Sequence, residues 1–375
     1  MPNILLVTGE ASGDIHGAKL ALALQELEPS IDLVGVGGGH MAQAGVRLIP
    51  DIDRIDAMGV PGIRQLWKGW KTLRQLSSLV KHTRFDAIVL IDSPGMNLRL
   101  AKVAAKSSQT IIYYIAPQVW AWGRRRLPLI RKVVKHVLAI LPFEEDFFRK
   151  EGIACDYVGH PLLDELPESF DAKQVRKALD LMPDEMVLGL LPGSRTKEVQ
   201  DLLPILLDAG HIIQGQYPKL QLLVAQADSL SDSLLERLLS RSSSVKLIKG
   251  KPSEVMAASD LVLVASGTAT LQAALIGTPM VIVYRTSPLT YQIGKRLVTI
   301  PYIGLVNILA EKELVPEILQ ERVTAHNIAQ EALSILENPA RQRVMKENFQ
   351  ALRNSLGSPG ASNRAAKIIL TEICQ

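Results

Sequence analysis

Short apolar runs alternate with longer stretches of helical periodicity along most of the chain. NILLVTG (3–9) precedes a helical pattern over about 14–28, and IDLVGVGG (31–38) follows. DAIVLID (86–92) leads into a predicted helix over 97–107, then come TIIYYIA (110–116), HVLAIL (136–141), a further helix and CDYVGHP (155–161). Runs of this kind, nearly all apolar and closed by Gly, Pro, Asp or Ser, read as strands of a parallel sheet covered on both faces.

The pattern then restarts. The stretch 163–174, LDELPESFDAKQ, is polar and acidic. Beyond it MVLGLLPG (186–193), LQLLVAQA (220–227), VKLIKG (245–250), LVLVASG (261–267) and MVIVYR (280–285) form a second series with helices between. The tail from Thr324 reads as helix, broken at Asn338-Pro339 and Ser358-Pro359-Gly360. We expect an α/β chain of two Rossmann-like, doubly wound parallel-sheet domains: 1–165, then 166–355, with a helix over 356–375 free to pack back on the first domain. Ligands of such sheets bind beyond the carboxyl ends of the strands, so a cleft faced by both domains is the expected site.

Composition narrows the class. At 375 residues, 47% apolar and 21% charged, the chain has the make-up of a soluble globular protein. Met1 leads directly into the first apolar run, so no secretory leader is expected, and no run reaches the roughly 18 apolar residues of a spanning helix. Cys155 and Cys374 lack metal-ligand spacing and read as free thiols of a reducing cytoplasm. Charge changes the picture more. Between Ala57 and Phe143 stand fifteen Lys and Arg but two acids, Asp86 and Asp92. That segment carries +13 within a chain whose net charge is +4, which points to an anionic partner for the N-terminal half.

Two turns invite phosphate. LPGSR (191–195) puts Arg195 at the start of a helix predicted over 196–216, where N–H groups, the helix dipole and a guanidinium converge. A surface arginine is the plain alternative. SGTATLQ (266–272) places Ser266, Gly267, Thr268 and Thr270 at the mouth of another helix, where small residues admit a ligand to the backbone. Ordinary N-capping is the alternative there. Gln272, expected on the first turn of that helix, can reach sugar hydroxyls. GVGGGH (35–40) is not a dinucleotide fingerprint, because His40 stands where a third glycine is needed. Its glycines are read as a tight turn toward a substrate. No HExxH, Cys cluster or Asp-x-Asp is present, so no metal and no cofactor is assigned.

GEASGD (9–14), DSPGMN (92–97), LPGSR, SGTATLQ and LVNILAEKELVPEILQ (305–320), in this order and spacing, resemble the signature set of the lipid-A-disaccharide synthase family. The resemblance runs nearly the full length. It implies a GT-B inverting glycosyltransferase, made of two such domains facing a central cleft. The implied reaction joins UDP-2,3-diacylglucosamine to 2,3-diacylglucosamine 1-phosphate, giving the β(1→6) lipid A disaccharide 1-phosphate and UDP. It implies UDP contacts at Arg195, Ser266, Gly267, Thr268, Ala269 and Asn307, with Gln272 where the family usually has Glu. An amide offers a ribose diol one acceptor where a carboxylate offers two. It implies a catalytic role for Asp92, which ends a strand; an Asx turn with Pro94-Gly95 is its plain role. Glu10, Ser12, Gly13 and Asp14 are candidates for the acceptor, with Asp14 alternatively capping its helix, and His16 can share the base role.

Apolar positions 63, 66, 67, 70, 73, 76 and 80 have helical spacing, with Trp67 and Trp70 on that face and Lys68, Lys71 and Arg74 off it. A basic helix with tryptophans suits a bilayer interface; packing on the core is the alternative. VWAWGRRRLPLIRK (119–132) adds two tryptophans and a basic run. The expected setting is cytoplasmic, peripheral to the inner leaflet of the inner membrane, with no nucleic acid bound. The resemblance also allows a homodimer. A UDP-sugar epimerase or other soluble UDP-GlcNAc-type transferase, and a two-lobed sugar-binding protein without chemistry, are the competing readings.

Overall fold

The structure, a computed structural model, describes residues 1–9, 11–50, 63–240, 244–287, 291 and 300–374, with 11 and 63–68 described as backbone only. It divides into two compact units, Met1–Asp164 with Ser358–Gln375, and Glu165–Gly357.

In the first unit the strands are β1 (Asn3–Thr8), β2 (Asp32–Val36), β3 (Arg47–Leu48), β4 (Ala87–Ile91), β5 (Ile111–Tyr114), β6 (His136–Ala139) and β7 (Cys155–Tyr157). The helices between them are α1 (Ala11–Leu27), α2 (Gly39–Gln43), α3 (Ile63–His82), α4 (Pro94–Lys106), α5 (Leu127–Val133) and α6 (Pro142–Lys150), with α7 (Leu162–Glu165) at the junction. The sheet is parallel throughout, in the order β3-β2-β1-β4-β5-β6-β7. Its apolar runs are explained by burial on both faces. Leu5, Val7, Ile88 and Leu90 face one core with Leu76 and Val80 of α3. Ile4, Leu6, Val89 and Ile91 face the other, with Leu20 and Leu24 of α1 and Ala365, Ala366 and Ile369 of the final helix, Ala361–Cys374. Each such Leu or Ile contributes about 1.5–3 kcal/mol.

The second unit repeats the plan with β8 (Val187–Leu191), β9 (Gln221–Gln226), β10 (Val245–Lys249), β11 (Leu261–Ala265), β12 (Met280–Tyr284) and β13 (Glu317–Leu319). Between them lie α8 (Ala172–Ala178), before β8, and α9 (Thr196–Gln216), α10 (Asp232–Leu239), α11 (Pro252–Ala258) and α12 (Thr268–Ile276). The order is β10-β9-β8-β11-β12-β13, again all parallel. Both units thus have the doubly wound arrangement expected from the apolar runs. Each reverses its winding at one place, between β1 and β4 in the first and between β8 and β11 in the second. Crevices at such reversals are where doubly wound sheets bind ligands.

α1 begins at Ala11, three residues before the sequence pattern suggests, and carries Gly13 inside its first turn. A β-carbon there would lie 1.9 Å from Thr8 Oγ1. Glycine therefore lets the helix start close against the end of β1. α3 runs Ile63–His82 and packs Thr72, Leu73, Leu76 and Val80 inward, so its second half is a core helix. Trp70 lies off that stripe and is 57% exposed. Among the described residues no helix is long and apolar enough to cross a membrane.

Candidate active site

At the reversal in the first unit, the turn after β4 is strained. Asp92 and Ser93 both hold left-handed backbone, with φ of 49° and 46°. Each costs about 1–3 kcal/mol and needs restraint from its surroundings. Two buried side chains supply it: Asn97 Nδ2 donates to the Asp92 carbonyl at 2.8 Å and to Ile91 O at 3.1 Å, and Tyr113 Oη donates to the same Asp92 carbonyl at 2.7 Å. The Gly9 N–H donates to Ser93 Oγ at 3.2 Å, tying the ends of β1 and β4 together. The Asp92 carboxyl is half-buried. Burial raises its pKa above the usual carboxylate range, against an opposing Ser93 N–H donor. A carboxylate lifted in this way is a better base at neutral pH. Asn97 and Tyr113 were not singled out from the sequence; the Asn of DSPGMN was the only available signal.

The structure corrects the reading of Asp14. It lies inside α1, which starts at Ala11, and so does not cap its own helix. It is 1% exposed and accepts from Gly38 N (2.6 Å), His40 N (3.1 Å) and Met41 N (3.2 Å). The glycines of GVGGGH thus wrap this carboxylate and start α2, where we had expected them to turn toward a ligand. Asp14→Ala would leave three backbone donors without this acceptor, that of Met41 buried and those of Gly38 and His40 less so. We expect it to lower unfolding free energy by about 2–4 kcal/mol, read from urea melts. Ser12 is exposed on the same turn and Gly13 is buried; Glu10 lies outside the described residues. His16 is half-buried on α1. Burial, with His16 nearby as a lesser cause, brings His160 down to about 3, so His160 is neutral and accepts from Leu162 N through Nδ1 at 3.2 Å.

The reversal in the second unit gathers the two predicted turns. Arg195 is exposed and occupies the N-cap position of α9, as the sequence suggested. Burial raises the Glu198 pKa, opposed by the nearby Arg195 charge and by the Ser194 and Arg195 N–H groups, so two amides of this helix start face that carboxylate. Gly193, at φ 109°, is required because a β-carbon would sit 2.1 Å from Glu198 Oε2. Ser266 Oγ donates to Ile303 O at 3.1 Å, and Gly267 and Thr268 are exposed at the start of α12 with Ala269 half-buried behind them. Gln272 lies in the second turn of α12, not the first, and its Nε2 donates to Ser253 Oγ at 2.8 Å.

Asn307 is fully buried with its polar atoms committed inside the unit. Nδ2 donates to Val315 O and Glu317 Oε1, and Oδ1 accepts from Leu314 N and Val315 N. Glu317 also accepts from Ile303 N and Gly304 N. This pair, which includes a carboxylate missed in the sequence, holds the 303–307 segment against Ser266.

Elsewhere in the first unit, Glu144 is 1% exposed and accepts from Trp120 Nε1 at 2.8 Å and Leu141 N at 3.2 Å. Burial pushes it up to about 7. The folded protein then keeps a proton that the unfolded chain, at the ordinary 4.5, has released. Stability should fall by up to about 3 kcal/mol as pH rises from near 4.5 through 7. Urea melts across that range should show the slope, and Glu144→Gln should remove it. A Glu two residues after Pro142 at a helix start was the sequence signal for it.

On the proposed lipid-facing helix, Lys71 and Arg74 are exposed, and the Arg74 guanidinium lies 5.4 Å from the Trp70 ring centroid. The side chains of Trp67 and Lys68 lie outside the described residues.

The family model for lipid-A-disaccharide synthetase matches residues 4–371. The chain belongs to the lipid-A-disaccharide synthase family. A family member from Syntrophus aciditrophicus is 39% identical, with 99% of this chain and 97% of that one aligned. One from Geobacter metallireducens is 37% identical over 98% and 96%. As a lipid-A-disaccharide synthase family protein, it is a glycosyltransferase of lipid A biosynthesis. Solved structures match the fold at low identity. S. aureus MnaA, in a UDP co-structure, aligns at TM-score 0.70 and 14% identity over 100% of this chain and 98% of its own. UDP-GlcNAc 2-epimerase from Neisseria meningitidis, bound to UDP-GlcNAc, aligns at 0.66 and 15% over 99% of each. These likenesses establish the GT-B-like architecture.

Proposed function

We propose that the protein transfers 2,3-diacylglucosamine from UDP to the 6-hydroxyl of 2,3-diacylglucosamine 1-phosphate with inversion. The observation that carries this reading is Asp92: a carboxyl of raised pKa, held in a restrained left-handed turn at the winding reversal of the first sheet. In the proposed step Asp92 takes the proton from the acceptor 6-hydroxyl. The oxygen attacks the anomeric carbon, and the bond from that carbon to the β-phosphate oxygen breaks, its electron pair leaving with UDP. Arg195 meets the charge that develops on the diphosphate, with Ser266, Gly267, Thr268 and Ala269 lining the donor and Gln272 at the ribose. Asn307 contributes by holding the 303–307 segment. Ser12, Gly13, Glu10 and His16 are placed on the acceptor side. Asp14 supports that side through α2.

The likeness to an epimerase is one of fold, so the assay must separate the activities. Incubation of the protein with UDP-2,3-diacylglucosamine and the monosaccharide 1-phosphate should release UDP and disaccharide in equal amounts. UDP release without the second substrate, or isomerisation of UDP-GlcNAc, would overturn the reading.

We also place the first unit peripherally on an anionic lipid surface. Trp70 and Trp122 are 57% and 44% exposed, each beside an arginine, Arg74 and Arg126. Each basic side chain near such a surface adds about 1 kcal/mol. Sedimentation with anionic liposomes at low salt, released by high salt, is the expected result; indifference to those liposomes removes the membrane assignment.

A further inference from the structure

Gln320, the last residue of LVPEILQ, combines three features that no role assigned above explains. It lies immediately after β13, on the ligand-binding edge of the second sheet. Its backbone is left-handed, with φ 51°, at a residue that gains nothing from that conformation. The residue is 7% exposed, and while Oε1 accepts from Thr286 N at 3.4 Å, the buried Nε2 has no hydrogen-bond partner among the described residues. A buried amide donor left unmet costs free energy, and strain gathers where a ligand repays it.

We propose that Gln320 reads the hexose of the nucleotide-sugar donor, its Nε2 donating to an acceptor oxygen on the acylated pyranose. This rests on the donor site proposed above. The direction follows from strand order. The diphosphate groups of that site are at β8 and β11, and β13 stands two strands beyond β11, roughly 10 Å at the usual strand spacing. Gln272, at the ribose, is turned the other way, bonded to Ser253 of α11, which packs on β8, β9 and β10. Nucleoside and hexose diverge from the diphosphate in opposite senses, so the hexose falls on the β12–β13 side. A neutral amide suits hydroxyl and ester oxygens, whereas the phosphate charge is met by Arg195.

The test compares UDP with UDP-2,3-diacylglucosamine by calorimetry, on the wild type and on Gln320→Met, which keeps length and apolar bulk without the donor. Wild type should bind the sugar nucleotide more tightly than UDP. Q320M should lose about tenfold of the sugar nucleotide's affinity, with UDP affinity unchanged within twofold and thermal stability retained. Q320E, which keeps an acceptor toward Thr286 N but replaces the donor by an anion, should lose at least as much. Equal losses for both ligands would mark a structural role and overturn the proposal, as would no loss for either. If the wild type binds UDP but not the sugar nucleotide, the proposed donor falls, and the role of Gln320 with it.

Discussion

Asp92→Asn is expected to leave UDP affinity within twofold of wild type and to lower turnover by ~10²–10⁴-fold, the usual worth of a positioned base. Asn is the informative replacement because of the backbone. Position 92 has φ 49°, and Asn tolerates the left-handed region where most residues do not. The clamps from Asn97 and Tyr113 act on the main-chain carbonyl of residue 92, so they survive the substitution. The change thus removes charge and basicity while the turn persists. In the wild type, burial raises the carboxyl pKa. The acidic limb of the kcat/KM profile should accordingly fall above the ordinary Asp range, activity being lost as pH drops through it and the base is protonated. Near-normal turnover in D92N would remove Asp92 as the base, and His16→Asn would then become the deciding variant.

Arg195→Ala is expected to lower kcat/KM for the sugar nucleotide by ~10²–10³-fold and to weaken inhibition by UDP. In the proposed site the exposed Arg195 side chain at the start of α9 supplies a fixed positive charge toward the diphosphate. Charge grows on the leaving oxygen as the glycosyl bond breaks, so the loss should appear in kcat as well as KM. Lysine should restore only part, since it keeps the charge and loses the planar fork. Unchanged UDP inhibition in R195A would place the nucleotide away from this turn.

The legible part of the site was its positions along the chain. LPGSR announced a helix start at Arg195, and α9 begins at Thr196. DSPGMN announced a turn after a buried strand, and Asp92 stands on it. What could not be read was the use of each polar group. Asp14 looked like a cap for its own helix, but its carboxylate closes on amides 24 to 27 residues away. Asn307 resembled a ligand residue, yet its bonds go to the 314–317 stretch. The helical pattern from about 14 gave no sign that α1 starts at Ala11, with Gly13 inside its first turn. These outcomes depend on which surfaces meet, and neither residue type nor spacing encodes that directly.

By itself the sequence determined the class of fold. A five-residue run such as LVLVA, repeated between helical stretches, fits a strand buried on both faces of a covered parallel sheet, and two series of such runs separated by a polar stretch fit two sheets. Strand order belonged to the tertiary structure. β1 lies beside β4, and β8 beside β11, through pairings 83 and 73 residues apart. Local periodicity carries no term for such pairings; they follow from the way helices cover the faces. That order sets Asp92 next to the end of β1 and brings the Arg195 and Ser266 turns to one crevice, which makes scattered strand ends a candidate site.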